Sequence, residues 1–143
     1  MKNITTALFT LGLLAASGAQ AHAADTELTL TVTSIDNHQG TLMVAVFDSA
    51  DAWSGGSPVA GARIDVSSDT ASASLGALPA GQYAIRMYHD VNGNGELDTN
   101  LMGIPSEPFA FSNNARGSFG PASWEDSAFE VSGDTATHSV RLD

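Results

Sequence analysis

No cysteine occurs anywhere in these 143 residues. That excludes disulfides, thiolate metal sites and a cysteine nucleophile. Positive charge is almost as scarce: Lys and Arg number 5 against 16 Asp and Glu, for a formal net charge of −11. A surface that acidic repels nucleic acid and anionic lipid and draws cations to itself. A Gly-x-Ser-x-Gly elbow is missing, and the glycine-rich segment carries acids rather than the lysine of a phosphate-cradling loop. Beyond residue 23 no window carries a sustained helical period. Nor is there an apolar run long enough to span a bilayer, because Ile4 to Ala16 gives out before the ~18 residues required.

That short run has another use. Lys2 supplies a positive start, Ile4 to Ala16 an apolar middle, and Ala19-Gln20-Ala21 and Ala21-His22-Ala23 two small-x-small sites. Together they predict a signal peptide over residues 1–23, with cleavage after Ala23 and no following cysteine to take a lipid anchor. The remainder, 143 − 23 = 120 residues, fits one domain, 24–143, exported to the periplasm or secreted. Four cations then remain: Arg63, Arg86, Arg116 and Arg141. With no disulfide available, stability must come from the core, to which a bound ion could add.

Past residue 23 the chain reads as short strands. Leu28, Leu30 and Val32 alternate with Thr29, Thr31 and Thr33; Ala62, Ile64 and Val66 alternate with Arg63 and Asp65; Ala71, Ala73 and Leu75 with Ser72 and Ser74; Tyr83, Ile85 and Met87 with Ala84, Arg86 and Tyr88. Thr41 to Phe47 is apolar on both parities, as expected of a central strand covered on both faces. Phe109 with Phe111, Phe129 with Val131 and Val140 with Leu142 mark three more. Seven or eight such segments predict an all-β antiparallel sandwich. Asp48 to Ala60 reads as a loop, and Leu97 to Gly120 as a long connection of the functional or Ω-loop kind.

The most informative stretch is Asp90-Val91-Asn92-Gly93-Asn94-Gly95-Glu96-Leu97-Asp98. Its Asp-x-Asn-x-Asn-Gly spacing is that of a calcium loop, with side-chain oxygens at positions 1, 3 and 5, a turn glycine at 6 and a carbonyl at 7. The expected Ca²⁺ ligands are Asp90, Asn92, Asn94, the carbonyl of Glu96, Asp98 directly or through water, and Glu107 as the distal carboxylate. Position 12, where an EF-hand places a bidentate Glu, is Leu101, and no amphipathic helix flanks the loop, so this is not an EF-hand. Asn-Gly is also strong turn chemistry, so an ion-free polar turn is the competing reading.

His89 follows the inward parity of its strand, as a histidine at the core edge bonded to loop backbone, or as a metal or proton-transfer group beside Asp90. Ser112-Asn113-Asn114-Ala115-Arg116-Gly117 reads as a turn after the Phe109–Phe111 strand, with presentation of amides to a sugar or peptide as its functional alternative. Trp124, close in sequence to Phe119 and Phe129, is expected to seal the end of the sandwich. Trp53, between Asp51 and Gly55-Gly56, could equally seal an end or stand exposed for stacking.

Leu78-Pro79-Ala80-Gly81-Gln82-Tyr83-Ala84-Ile85 leads into His89-Asp90-x-Asn92-x-Asn94-Gly95-x-Leu97-Asp98, then Gly103-Ile104-Pro105-x-Glu107 and Phe111-Ser112-Asn113-Asn114. This succession resembles a family of small exported bacterial proteins, domain of unknown function 2141, over essentially the whole chain past residue 23. Trp124 stands where the family usually has Phe. The resemblance implies a periplasmic or secreted sandwich of transthyretin-like or immunoglobulin-like kind, and no activity. The combined expectation is a non-enzymatic, calcium-binding envelope module. Its partner would be an envelope protein, peptide or glycan, with neither nucleic acid nor membrane insertion involved. The alternative is a hydrolase-like envelope enzyme using His89 and Asp90 near a bound metal.

Overall fold

A computed structural model describes residues 24–142, so the proposed signal peptide, residues 1–23, lies outside the described residues. Eight strands form two facing sheets: β1 (Thr26–Thr33), β2 (Thr41–Phe47), β3 (Ala60–Asp65), β4 (Ala71–Leu78), β5 (Gly81–Asp90), β6 (Phe109–Phe111), β7 (Phe129–Val131) and β8 (Thr135–Arg141). One sheet runs β4-β1-β8 and the other β3-β2-β5-β6, with β7 pairing the first residues of β5. The all-β sandwich expected from the alternation is therefore the fold. Its pairings are antiparallel except one: β1 and β8 run parallel, from Glu27 opposite Thr135 to Thr33 opposite Arg141. Period-2 alternation fixes which face a residue takes but not the direction of its neighbour, so that pairing was not legible.

The inner faces meet over Leu28, Leu30, Val32, Leu42, Val46, Ile85 and Val140, all at most 1% exposed. Outward from the three-stranded sheet the residues are polar. Thr31 and Ser72 share a hydrogen bond of 2.7 Å, and Ser74 donates to Glu27. The larger sheet differs, because its outer face is apolar too. Phe47, Ala84 and Phe111 point outward and are covered by Trp53, Ala122 and Trp124, a second small core.

Two short helices place those tryptophans. α1 (Ala50–Gly55) starts at Ser49, whose hydroxyl accepts from Ala52 N at 3.3 Å; α2 (Trp124–Ser127) starts at Ser123, which accepts from Asp126 N at 3.1 Å. Both lie in segments that read as loops, since one or two turns are too short to show a helical period. Among the described residues no helix is long and apolar enough to cross a membrane.

The Ser112–Asn114 cluster is structural. Ser112, fully buried, accepts from Ile85 N at 2.9 Å and donates to the Ser127 carbonyl at 2.5 Å. Asn113, in the left-handed region at φ 60°, donates to the carbonyls of Asp126 and Ala128, and Asn114 accepts from Arg141 N. The Asn113 N–H also donates to Nε2 of His138 at 3.1 Å, and that imidazole stacks on Phe129 with ring centroids 3.8 Å apart. Nε2 can accept only when unprotonated, and burial holds His138 below its ordinary pKa. The unfolded chain therefore takes up a proton below about pH 6.5 that the fold resists, so the contribution of His138 to stability is full above that pH and is lost as pH drops below it. Urea unfolding from pH 7.5 to 5 should show this decline, and His138→Gln should flatten it. An identical decline in the variant would remove His138 as its cause.

Candidate functional site

β5 ends at the acidic loop. Successive residues of a strand face opposite ways, so His89 points into the sandwich and Asp90 out of it. Both are 1% exposed. The ring of His89 meets the Gln39 carbonyl at 2.6 Å, so Nε2 carries the proton. The interior, backbone-bonded reading of this histidine is the geometry found. Directed to opposite faces, His89 and Asp90 do not form a proton-transfer pair. The β1–β2 turn that supplies Gln39 needs glycine next to it: Gly40 has φ 78°, and a Cβ there would stand 2.1 Å from the Asp90 carbonyl oxygen.

The outward carboxylate of Asp90 organises the loop. One oxygen accepts from Gly93 N at 2.8 Å and Asn94 N at 3.1 Å, and the other from Gly95 N at 2.8 Å. Gly93 and Gly95 take φ of 75° and 80°, left-handed values that turn these successive N–H groups toward one point. Asn92 and Asn94 each accept from the N–H two residues on, and their amide nitrogens reach Asp98 at 2.5 and 3.0 Å. Glu107, sixteen residues from Val91 and 9% exposed, accepts from Val91 N at 3.0 Å and Asp98 N at 3.2 Å. Glu96 is exposed, its N–H held by Asn94. All six residues named as ligands thus belong to one hydrogen-bonded loop, and Glu107 closes it. Among the described residues no three His, Cys, Asp or Glu side chains gather closely enough to chelate an ion by themselves, so amide and carbonyl oxygens would have to complete a site.

Beyond Asp98 the chain folds into a small hairpin. Thr99 pairs with Pro105, Asn100 N donates to the Ile104 carbonyl, and Ser106 N to the Asp98 carbonyl. This hairpin stands over the outer face of the larger sheet as a wall carrying Met102 and Ile104, with Leu97 just before it, all exposed. Between it and the sheet lies an open groove of about 1070 Å³ whose floor includes Met43, Ala45, Arg86, Tyr88 and Phe109. Tyr88 braces the wall by donating its hydroxyl to the Gly95 carbonyl at 2.9 Å. Burial first, then the Asp90 and Glu107 charges, holds its phenol above the ordinary pKa.

Arg86 lies where the groove meets the tryptophan cluster. Its guanidinium sits 4.2 Å from the centre of the Phe47 ring and 5.5 Å from that of Trp53, and donates to the Trp53 carbonyl at 3.3 Å. Burial lowers its pKa, and no carboxylate is among the causes. A smaller adjoining cavity of about 200 Å³ shares Phe109, Phe111 and Gly120 with the groove and is lined by Arg116 and Arg141, while Arg63 lines the groove itself. All four arginines of the described residues thus border these two spaces. The sequence reading did not identify the groove. Its available signal was the run Thr41–Phe47, apolar on both parities: one half of that outer face is covered by Trp53, the other half opens as the floor.

A family model described as an uncharacterized protein conserved in bacteria (DUF2141) matches residues 30–139. Comparison with curated proteins gives no match, and comparison with solved structures gives none either.

Proposed function

The chain belongs to that bacterial family, and from this premise we propose that it is an exported, non-enzymatic binding module of the cell envelope, whose acidic loop takes Ca²⁺ and thereby sets one wall of the groove. The observation that carries this reading is that Asp90, Asp98 and Glu107 all accept hydrogen bonds from the one loop that leads into the wall. A carboxylate has roughly four lone-pair sites. Asp90 accepts three N–H groups, and Asp98 and Glu107 two each, so each has at least one lone-pair site left over. The donor set is oxygen throughout, which suits Ca²⁺ rather than zinc or copper. An ion supplies neutralisation of the carboxylates and a cross-link between the loop's two ends. Asn92 and Asn94 would join through their amide oxygens, and Glu96 through its carbonyl.

Against an enzyme stand the opposed directions of His89 and Asp90 and the commitment of His89 to the Gln39 carbonyl. Calcium is expected to stabilise the metal-free protein by roughly 1–2 kcal/mol at millimolar concentration, the range for a site of ~10⁻⁴–10⁻³ M affinity. EGTA reverses the gain. Asp98→Ala abolishes the response. Asp69→Ala, which removes an equal charge from an exposed residue paired only with His38 across 2.7 Å, preserves it. An unchanged melting temperature in the parent protein refutes calcium binding, and equal weakening in both variants reduces it to diffuse counterion attraction.

A further inference from the structure

Arg86 is a cation in the lining of an apolar groove, on a protein with few cations. Among the described residues no carboxylate ion-pairs with it, and it rests on two aromatic rings and donates to one carbonyl. Partial desolvation of a guanidinium with no counter-anion is costly, and a bound anion offsets that cost. The space beyond it is apolar. In the sheet register Met43, Tyr88 and Phe109 form a row across the floor, one step along from the row of Ala45, Arg86 and Phe111. Ile104 and Met102 overhang from the wall. The groove's volume lies just above the roughly 300–1,000 Å³ usual for small-molecule sites. A second copy of this chain is a poor occupant, because each copy carries a formal charge of −11 and the two repel.

We propose that the groove binds a single-chain amphiphile with an anionic head, a medium-chain fatty acid of about twelve carbons, with its carboxylate on Arg86 and its chain over Met43, Tyr88 and Phe109. This deepens the binding-module reading: it rests on the groove being the binding surface, and not on the ion. The charge pattern explains the selectivity. The chain is acidic overall while its arginines border the groove and the adjoining cavity, so a molecule with enough apolar length to lie in the groove gains most from reaching Arg86. A neutral chain gains the apolar contacts and not the ion pair.

Dodecanoate and dodecanol, which share one chain length, are titrated calorimetrically into the protein without added calcium. Dodecanoate is expected to bind about tenfold or more tightly than dodecanol, the scale of one charge-assisted contact. Arg86→Gln should bring dodecanoate down to the affinity that the same variant shows for dodecanol. Ile104→Glu, a change at an exposed wall position that leaves the core untouched, should weaken both ligands and serves if Arg86→Gln does not fold. Equal affinity for the two ligands, or no binding of dodecanoate below millimolar, overturns the proposal. So does concentration-dependent dimerisation that Ile104→Glu abolishes, which would assign the groove to a second copy. Binding of dodecanoate by a protein that ignores calcium would remove the ion and keep the ligand; a calcium response without dodecanoate binding would do the reverse.

Discussion

Trp53→Ala is expected to cost about 3–5 kcal/mol of stability, the range for truncating a buried tryptophan. Trp53 is 6% exposed and is the centre of the outer core. Its ring meets those of Phe47, Phe111 and Trp124 edge-on at 5.5, 5.8 and 6.4 Å, and its indole N–H donates to the Ala122 carbonyl at 3.0 Å. Truncation opens a cavity, strips the cover from Phe47 and Phe111, and leaves the Ala122 carbonyl without that donor. Against a total of roughly 5–15 kcal/mol for a domain this is a large fraction. Urea unfolding followed by circular dichroism measures it. A loss below about 1.5 kcal/mol, within the range of a partly exposed residue, would contradict the packing described.

Asp90→Ala is expected to cost about 2–4 kcal/mol even without calcium, because three backbone N–H groups lose a charged acceptor and only those nearest solvent recover water. The loss is local in origin. The turn at Gly93–Gly95 loosens and, through Asp98 and Glu107, so does the hairpin carrying Met102 and Ile104. The inner core is untouched, so the variant should keep its strand signal at low temperature. Asp90→Asn retains one acceptor oxygen and should recover part of the loss. A variant as stable as the parent would mean that the loop holds its shape without this carboxylate.

How far these features could be read from the chain depends on whether they are local. Leu28, Leu30 and Val32 announce their strand because a period of two is written into adjacent residues. The Asp90–Asp98 loop announces itself because its donors and acceptors lie within a few residues of each other. Glu107 was found as the nearest later carboxylate, and it does close the loop. The parallel β1–β8 pair joins the two ends of the domain, and no local pattern encodes it. Trp53 reaches Ala122 across 69 positions, which is why its sequence neighbourhood left burial and exposure equally open. His138 likewise shows no partner nearby; Asn113 and Phe129 reach it only in the fold. The groove is harder still, because it is a space left between elements: one strand's outer face, a hairpin read as an irregular connection, and four arginines scattered from 63 to 141.

The central claim is that an ion at the acidic loop sets the groove wall, and amide hydrogen exchange over residues 91–107 tests it most directly. Metal-free and calcium-loaded protein are compared at equal ionic strength. The account predicts that calcium slows exchange at the Gly93, Asn94, Gly95 and Asp98 amides and carries the protection on to Met102 and Ile104 in the hairpin, with β1 and β2 unchanged. Exchange that is identical in the two states across 91–107, or slowed uniformly over the whole protein, would contradict it.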